Sequence, residues 1–99
     1  YVLKRLKQFN GIAEESNNKE ILDAILLLAK TEGIFTEPAG GVSVAVLKKM
    51  VEDGKIDKNE ITVCYVTGNG LKATESIMEV LSKPQVMQPD IAKISAVVK

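Results

Sequence analysis

The sequence contains no histidine and only one cysteine, Cys64, among its 99 residues. Without histidine, a Ser-His-Asp triad and a Cys-His pair are excluded within this chain. One thiol forms neither an internal disulfide nor a structural zinc site, so we predict no metal site. Because disulfides are rare in reducing compartments, a lone cysteine also favours a cytoplasmic protein.

An excess of charge of one sign is also absent, because 13 Lys and Arg balance 13 Asp and Glu. Nucleic acids and anionic membrane surfaces attract proteins with a basic excess, so neither is a predicted partner. No apolar run approaches the roughly 20 residues that cross a bilayer. A chain of 99 residues is too short for two domains, and we expect residues 1–99 to form a single unit.

Apolar residues at helical spacing predict a helix that ends at Gly11, and further helices over residues 19–32, 40–53, 73–83 and 90–98. Asn17, with Glu20 three positions later, is typical of an N-cap with a capping box. Gly33 and Gly54 follow two of these helices, where glycine adopts the left-handed conformation of a C-cap.

A continuous β-branched and aromatic run at residues 61–66 predicts a strand buried on both faces of a parallel sheet. Residues 12–15 and 34–35 are weaker strand candidates. The alternation of helices and strands predicts an α/β fold, specifically a three-layer α/β/α piece with a small, mainly parallel sheet. This sheet is too small to cover the helices, and the chain begins within a helix. We therefore expect a piece of a longer protein, or copies that pair or exchange elements as a homo-oligomer.

Glu37 is the first candidate for chemistry, because it lies between a strand-like segment and the glycine-rich start of a helix at Gly40 and Gly41. It could contact a ligand beside the helix N-terminus. Alternatively, its charge complements the helix dipole while the two glycines permit close packing. The spacing alone leaves both interpretations open.

The turn Thr67-Gly68-Asn69-Gly70 is the second candidate, because it directly follows the predicted strand. Ligands bind at the carboxyl ends of strands in open α/β sheets. The hydroxyl of Thr67 could hold a heteroaromatic nitrogen or a phosphate, although a lone Gly-x-Gly also fits an ordinary turn. Lys72, next to this turn, is either part of the site or a surface lysine.

Residues 32–42 and 63–72 together resemble the C-terminal part of the threonine synthases, which are fold type II enzymes that use pyridoxal phosphate. The resemblance covers roughly residues 10–75. It implies a parent enzyme, a lyase, that converts O-phosphohomoserine and water to threonine and phosphate, with this chain as part of the larger fold type II domain. Threonine dehydratase, cysteine synthase and a non-catalytic oligomerising or interaction module stay open as alternatives. The Gly-Asn-Gly-Leu-Lys continuation argues against the first two.

The resemblance also implies which residues bind the cofactor. Thr67 would bond the ring nitrogen, and Glu37 and its neighbours would line the pocket beside the ring. The complete set is Thr67, Glu37, Gly68, Asn69, Pro38 and Ala39.

The family's cofactor-binding lysine and its phosphate-binding glycine loop have no counterpart in this sequence, so we predict no catalytic residue here. The remainder of the enzyme chain would supply both. We therefore expect the 99-residue chain alone neither to hold pyridoxal phosphate covalently nor to turn over substrate.

Overall fold

A computed structural model describes residues 1–98. Its regular elements are α1 (Val2–Gln8), α2 (Asn18–Glu32), α3 (Pro38–Glu52), a 3-10 turn (Gly70–Lys72), α4 (Glu75–Met78) and α5 (Ile91–Val97). The described chain is elongated, with principal extents of 62 × 29 × 19 Å. None of its helices combines the length and the apolar character that crossing a bilayer requires.

Helix α2 begins and ends as its sequence predicts. The Asn17 side chain accepts a hydrogen bond from the Glu20 N–H at 3.0 Å, and the Glu20 carboxylate accepts one from the Asn17 N–H at 2.7 Å. These two bonds form the predicted capping box. Gly33 ends the helix with φ at 68°, and its N–H donates to the Ala29 carbonyl. Both ends are thus fixed by local hydrogen bonds.

The core lies between α2 and α3, and one residue of α4, Ile77, is also buried. The buried apolar side chains of the core are Ala24, Ile25, Ala45 and Ile77. A Cβ atom on Gly41 would lie 2.8 Å from Ile25 Cγ1 and 3.1 Å from the carbonyl oxygen of Ile21. The two helices therefore approach each other at a position where only glycine fits.

The predicted three-layer α/β/α fold is wrong for this structure, because residues 1–98 contain no sheet. Their only β pairing is a single antiparallel bridge between Thr36 and Asn69. The predicted strand at residues 61–66 has no regular structure, with Ile61 97% and Tyr65 77% exposed. The weaker candidates at residues 12–15 and 34–35 form no strand either. A strand needs a neighbour for its backbone hydrogen bonds, and β-branched residues alone do not supply one.

Helix α3 begins two residues before the predicted start. Pro38 occupies its first position, where the missing N–H of proline costs nothing, and Glu37 is the extended N-cap. At the other end, Gly54 has φ at 70°, and the Lys55 N–H donates to the Met50 carbonyl at 2.8 Å. The prediction that Gly54 closes this helix is confirmed.

The remaining helices depart from prediction by different amounts. The helix predicted over residues 73–83 is only Glu75–Met78, while α5 begins after Asp90, whose side chain accepts from the Ala92 N–H at 2.9 Å. Helix α1 ends at Gln8 rather than at Gly11. A polar cap therefore predicted the start of α5, whereas apolar spacing alone overestimated α4.

Candidate functional site

The two candidate segments of the sequence meet in the structure. The Glu37 N–H donates to the Gly68 carbonyl at 3.1 Å, and the Gly70 N–H donates to the Phe35 carbonyl at 3.0 Å. We call residues 35–37 together with residues 67–70 the junction. It places the start of α3 against the Thr67-Gly68-Asn69-Gly70 turn.

Thr36 holds the centre of the junction. It is 1% exposed, and its hydroxyl donates to the Gly68 carbonyl at 2.9 Å. The same carbonyl therefore accepts from both the Thr36 hydroxyl and the Glu37 N–H. A Cβ atom on Gly40 would lie 2.0 Å from Thr36 Oγ1, which explains the glycine there. The sequence-based site missed Thr36, and its one signal was a polar residue directly before Glu37 in an apolar segment.

Both glycines of the turn make room for a side chain of the other segment. A Cβ atom on Gly68 would lie 1.9 Å from Glu37 Oε1, and one on Gly70 would lie 2.6 Å from atoms of the Phe35 ring. The Glu37 carboxylate and the Phe35 ring therefore rest directly on the backbone of the turn. The glycines serve close packing within the junction, whatever else the turn binds.

The outer surface of the turn carries Thr67 and Asn69, which are both exposed. The Asn69 side chain accepts from the Leu71 N–H at 2.9 Å and thereby caps the 3-10 turn. The hydroxyl that bonds the backbone inside the junction is that of Thr36. Thr67 itself is exposed, so a ligand can reach its side chain.

Glu37 is half-buried, and its side chain makes no capping hydrogen bond to α3. Among residues 1–98, the cation nearest to it is the Lys72 ammonium, whose Nζ lies 4.0 Å from Glu37 Oε2. Glu37 therefore faces the turn and Lys72 rather than the N–H groups of its helix. Glu37 is nevertheless the N-cap of α3, where its charge also complements the helix dipole, so the structure is compatible with both interpretations of Glu37.

Pro38 and Ala39 directly follow the junction, at the start of α3. Pro38 lines a cavity of about 340 Å³ with Leu22 of α2 and Ser76 of α4, and Ala39 is exposed. The structure thus brings Glu37 against Gly68 and next to Asn69 and Thr67, while Pro38 borders a cavity on the side of α2 and α4.

A family model described as "Pyridoxal-phosphate dependent enzyme" matches residues 1–68, which includes Thr67 and Gly68. More than half of the chain lies within this match, so the chain belongs to that family of enzymes.

Curated relatives that are similar to this chain are named threonine synthase. The protein of Methanocaldococcus jannaschii is 40% identical over 89 residues, which are 90% of this chain and 22% of that relative. That of Bacillus sp. strain ULM1 is 47% identical over 72 residues, 73% of this chain and 20% of the relative. That of Mycobacterium tuberculosis strain H37Rv is 36% identical over 93 residues, 94% of this chain and 25% of the relative.

These matches confirm the resemblance that the two segments indicated. The chain spans between a fifth and a quarter of the length of the relatives it matches.

Proposed function

We propose that this chain is a segment of a threonine synthase, a pyridoxal-phosphate-dependent lyase that converts O-phosphohomoserine and water to threonine and phosphate. Identity of 36–47% to proteins of that name supports the proposal. The structural observation that carries it is the contact of Glu37 with Gly68, because it brings both segments of the resemblance to one surface.

The residues of the junction fit one edge of a pyridine ring. Thr67, an exposed residue that carries a hydroxyl, follows an apolar segment and precedes a glycine on which the Glu37 carboxylate rests. A neutral hydroxyl donates to a ring nitrogen without stabilising a full positive charge on it, unlike a carboxylate. The hydroxyl of Thr67 is therefore a suitable hydrogen-bond donor for a neutral heteroaromatic nitrogen.

In the proposed site, the hydroxyl of Thr67 holds the ring nitrogen, while Glu37, Gly68 and Asn69 border the ring. Ala39 lies at the rim, and Pro38 fixes the start of α3 below it. When bound, pyridoxal phosphate supplies the electron sink of the reaction. The residues of this chain orient it and exclude water from one side.

The remainder of the enzyme chain is the partner of this segment in the proposal. It would supply the lysine that binds the cofactor and the loop that holds the cofactor phosphate. No catalytic residue is assigned to residues 1–99, and the small-molecule substrate would bind between this segment and the remainder, in the cytoplasm.

The proposal is tested on the full-length enzyme that contains this chain, with O-phosphohomoserine as substrate. We expect phosphate release together with threonine formation. Cofactor-free protein without turnover would support a non-catalytic module instead. Deamination of threonine, or cysteine formation, would support the dehydratase or cysteine synthase alternative.

The Thr67→Val variant tests the site in the same enzyme, because valine keeps the shape of the side chain and removes the hydroxyl. We expect affinity for pyridoxal phosphate to fall on the order of fivefold, as the loss of one hydrogen bond predicts. The absorption spectrum of the bound cofactor should also change. Thr62→Val is the matched control, since Thr62 is exposed and lies outside the junction.

A further inference from the structure

We propose that Lys72 is a positioning residue of the cofactor site, which holds the Glu37 carboxylate against Gly68 and offsets its charge beside Thr67. This inference rests on the proposed function, since it concerns the same site. The resemblance assigned no role to Lys72.

The backbone ties Lys72 to the turn that carries Thr67. The Lys72 N–H donates to the Asn69 carbonyl at 3.2 Å, and Lys72 is the last residue of the 3-10 turn that Asn69 caps. Its ammonium lies 4.0 Å from Glu37 Oε2. The turn that begins at Thr67 therefore places the Lys72 ammonium near the Glu37 carboxylate, which itself rests on Gly68.

The two partners differ in exposure, which makes the charge of Glu37 the one that matters for the site. The Glu37 side chain is 24% exposed and the Lys72 side chain 68%. A carboxylate that has lost part of its water exerts a stronger field on its surroundings than a hydrated one. Lys72 keeps most of its water and acts as the counter-charge at the rim.

The net charge around Glu37 and Lys72 influences whether a ring nitrogen bound beside Thr67 is protonated or neutral. A negative charge near the nitrogen favours its protonated form, whereas a nearby positive charge opposes protonation. The hydroxyl of Thr67 suits the neutral form. By offsetting the charge of Glu37, Lys72 keeps the surroundings of that nitrogen close to neutral.

The geometry of this ion pair differs from that of the pairs on the helices. Lys19–Asp23 and Lys48–Glu52 each join residues four apart on one helix, and all four side chains are more than half exposed. The Lys72–Glu37 pair instead joins the two segments of the junction. Pairs of the first kind stabilise a helix slightly, whereas this one links the turn to the start of α3.

The experiment uses the full-length enzyme with pyridoxal phosphate bound, and compares Lys72→Met, Lys72→Arg and Lys48→Met with the wild type. Three quantities are measured: the affinity for pyridoxal phosphate, the absorption spectrum of the bound cofactor as a function of pH, and kcat and KM. We expect Lys72→Met to weaken cofactor affinity on the order of three- to fivefold, the size of a partly exposed ion pair.

We further expect Lys72→Met to shift the pH dependence of the spectrum towards higher pH, because the uncompensated carboxylate favours protonation. Lys72→Arg should restore the wild-type spectrum. Lys48→Met removes an exposed ion pair far from the junction and should change neither affinity nor spectrum.

A double-mutant cycle with Glu37→Gln shows whether Lys72 acts through Glu37. If it does, Lys72→Met changes the spectrum of the wild type but not that of the Glu37→Gln enzyme. An equal effect in both backgrounds, or none in the wild type, would overturn the inference.

Failure of the proposed function has a different signature. An enzyme that binds the cofactor but releases no phosphate from O-phosphohomoserine contradicts the proposed activity, while the spectral comparison still decides the role of Lys72. A wild-type enzyme that binds no pyridoxal phosphate overturns both.

Discussion

The buried hydroxyl of Thr36 donates a hydrogen bond of 2.9 Å to the carbonyl of Gly68, which lies 32 residues further along the chain. With the Glu37 N–H, which donates to the same oxygen, it joins the start of α3 to the turn that carries Thr67. The geometry of the candidate site therefore depends on a residue that contacts no ligand in the proposal. Removing the Thr36–Gly68 hydrogen bond should therefore lower the free energy of unfolding and also displace the turn that carries Thr67.

We expect Thr36→Val to lower the free energy of unfolding by about 1–2 kcal/mol, because a buried hydrogen bond is lost in a side chain of nearly unchanged shape. Urea denaturation measures the change. Thr31→Val is the control, since the Thr31 hydroxyl bonds the Leu27 carbonyl on an exposed helix face and should change stability by less than about 0.5 kcal/mol. Equal effects of the two variants would contradict the role assigned to Thr36.

Gly41→Ala should destabilise the pair of helices although alanine favours helices over glycine by about 1 kcal/mol. The new methyl group would meet Ile25 Cγ1 at 2.8 Å and the Ile21 backbone oxygen at 3.1 Å. Overpacking of this kind costs about 1–3 kcal/mol. Thermal unfolding measures it, with the exposed Val42→Ala as the control on the same helix. A stabilised Gly41→Ala variant would show that α2 and α3 do not approach as closely as described.

The stability of the chain should fall in acid because of Glu14. Lys55 Nζ lies 2.7 Å from Glu14 Oε2, and this hydrogen bond, helped by one from the Glu15 N–H, holds the pKa of Glu14 below its ordinary value of 4.5. The contribution is complete above pH 4.5 and disappears as the pH falls through the lowered pKa. Urea denaturation across this range should show less loss in Glu14→Gln than in the wild type.

The same pair predicts a loss of stability in strong base. The hydrogen bond to Glu14 raises the pKa of Lys55 above 10.5, so its contribution is complete below pH 10.5 and fades as the pH rises through the raised pKa. Lys55→Met should reduce this alkaline loss of stability, while the part due to Lys19, whose pKa is raised by its hydrogen bond to Asp23, should persist. The control is Lys58→Met, since Lys58 is exposed, and this variant should keep the alkaline loss of stability seen in the wild type.

The 99-residue chain alone should not bind pyridoxal phosphate covalently, because no lysine in it has the sequence context of the cofactor-binding lysine of threonine synthases. Borohydride reduction in the presence of the cofactor, followed by mass spectrometry, measures this. We expect only sparse labelling spread over several lysines. Stoichiometric labelling of one lysine, Lys72 above all, would contradict the prediction and would place the covalent anchor within this segment.

Local signals correctly predicted both ends of α2, the C-terminal end of α3 and the start of α5. The capping box of Asn17 and Glu20, the glycine after α2 and the Asp90 cap all act over three or four residues. Such bonds form from residues close in sequence, so the sequence contains all the partners they need. The same holds for Gly54, whose left-handed backbone follows the last turn of α3.

The prediction of a strand at residues 61–66 was wrong because a strand, unlike a helix cap, needs partners that are distant in sequence. Its residues have high β-propensity, yet the hydrogen bonds of a strand go to another segment, and the described residues offer none beside it. Apolar spacing likewise overestimated α4, because only Ile77 of that helix reaches the core.

The sequence by itself determined both ends of α2, the end of α3 and the start of α5, and its two segments were enough to indicate the enzyme family. Only the tertiary structure decided that Glu37 faces Gly68 and Lys72, that Thr36 joins the two segments, and that the β-branched run stays unpaired. The physical reason is distance along the chain: caps connect neighbours in sequence, whereas the junction depends on contacts that form only when α3 and the distant turn pack together.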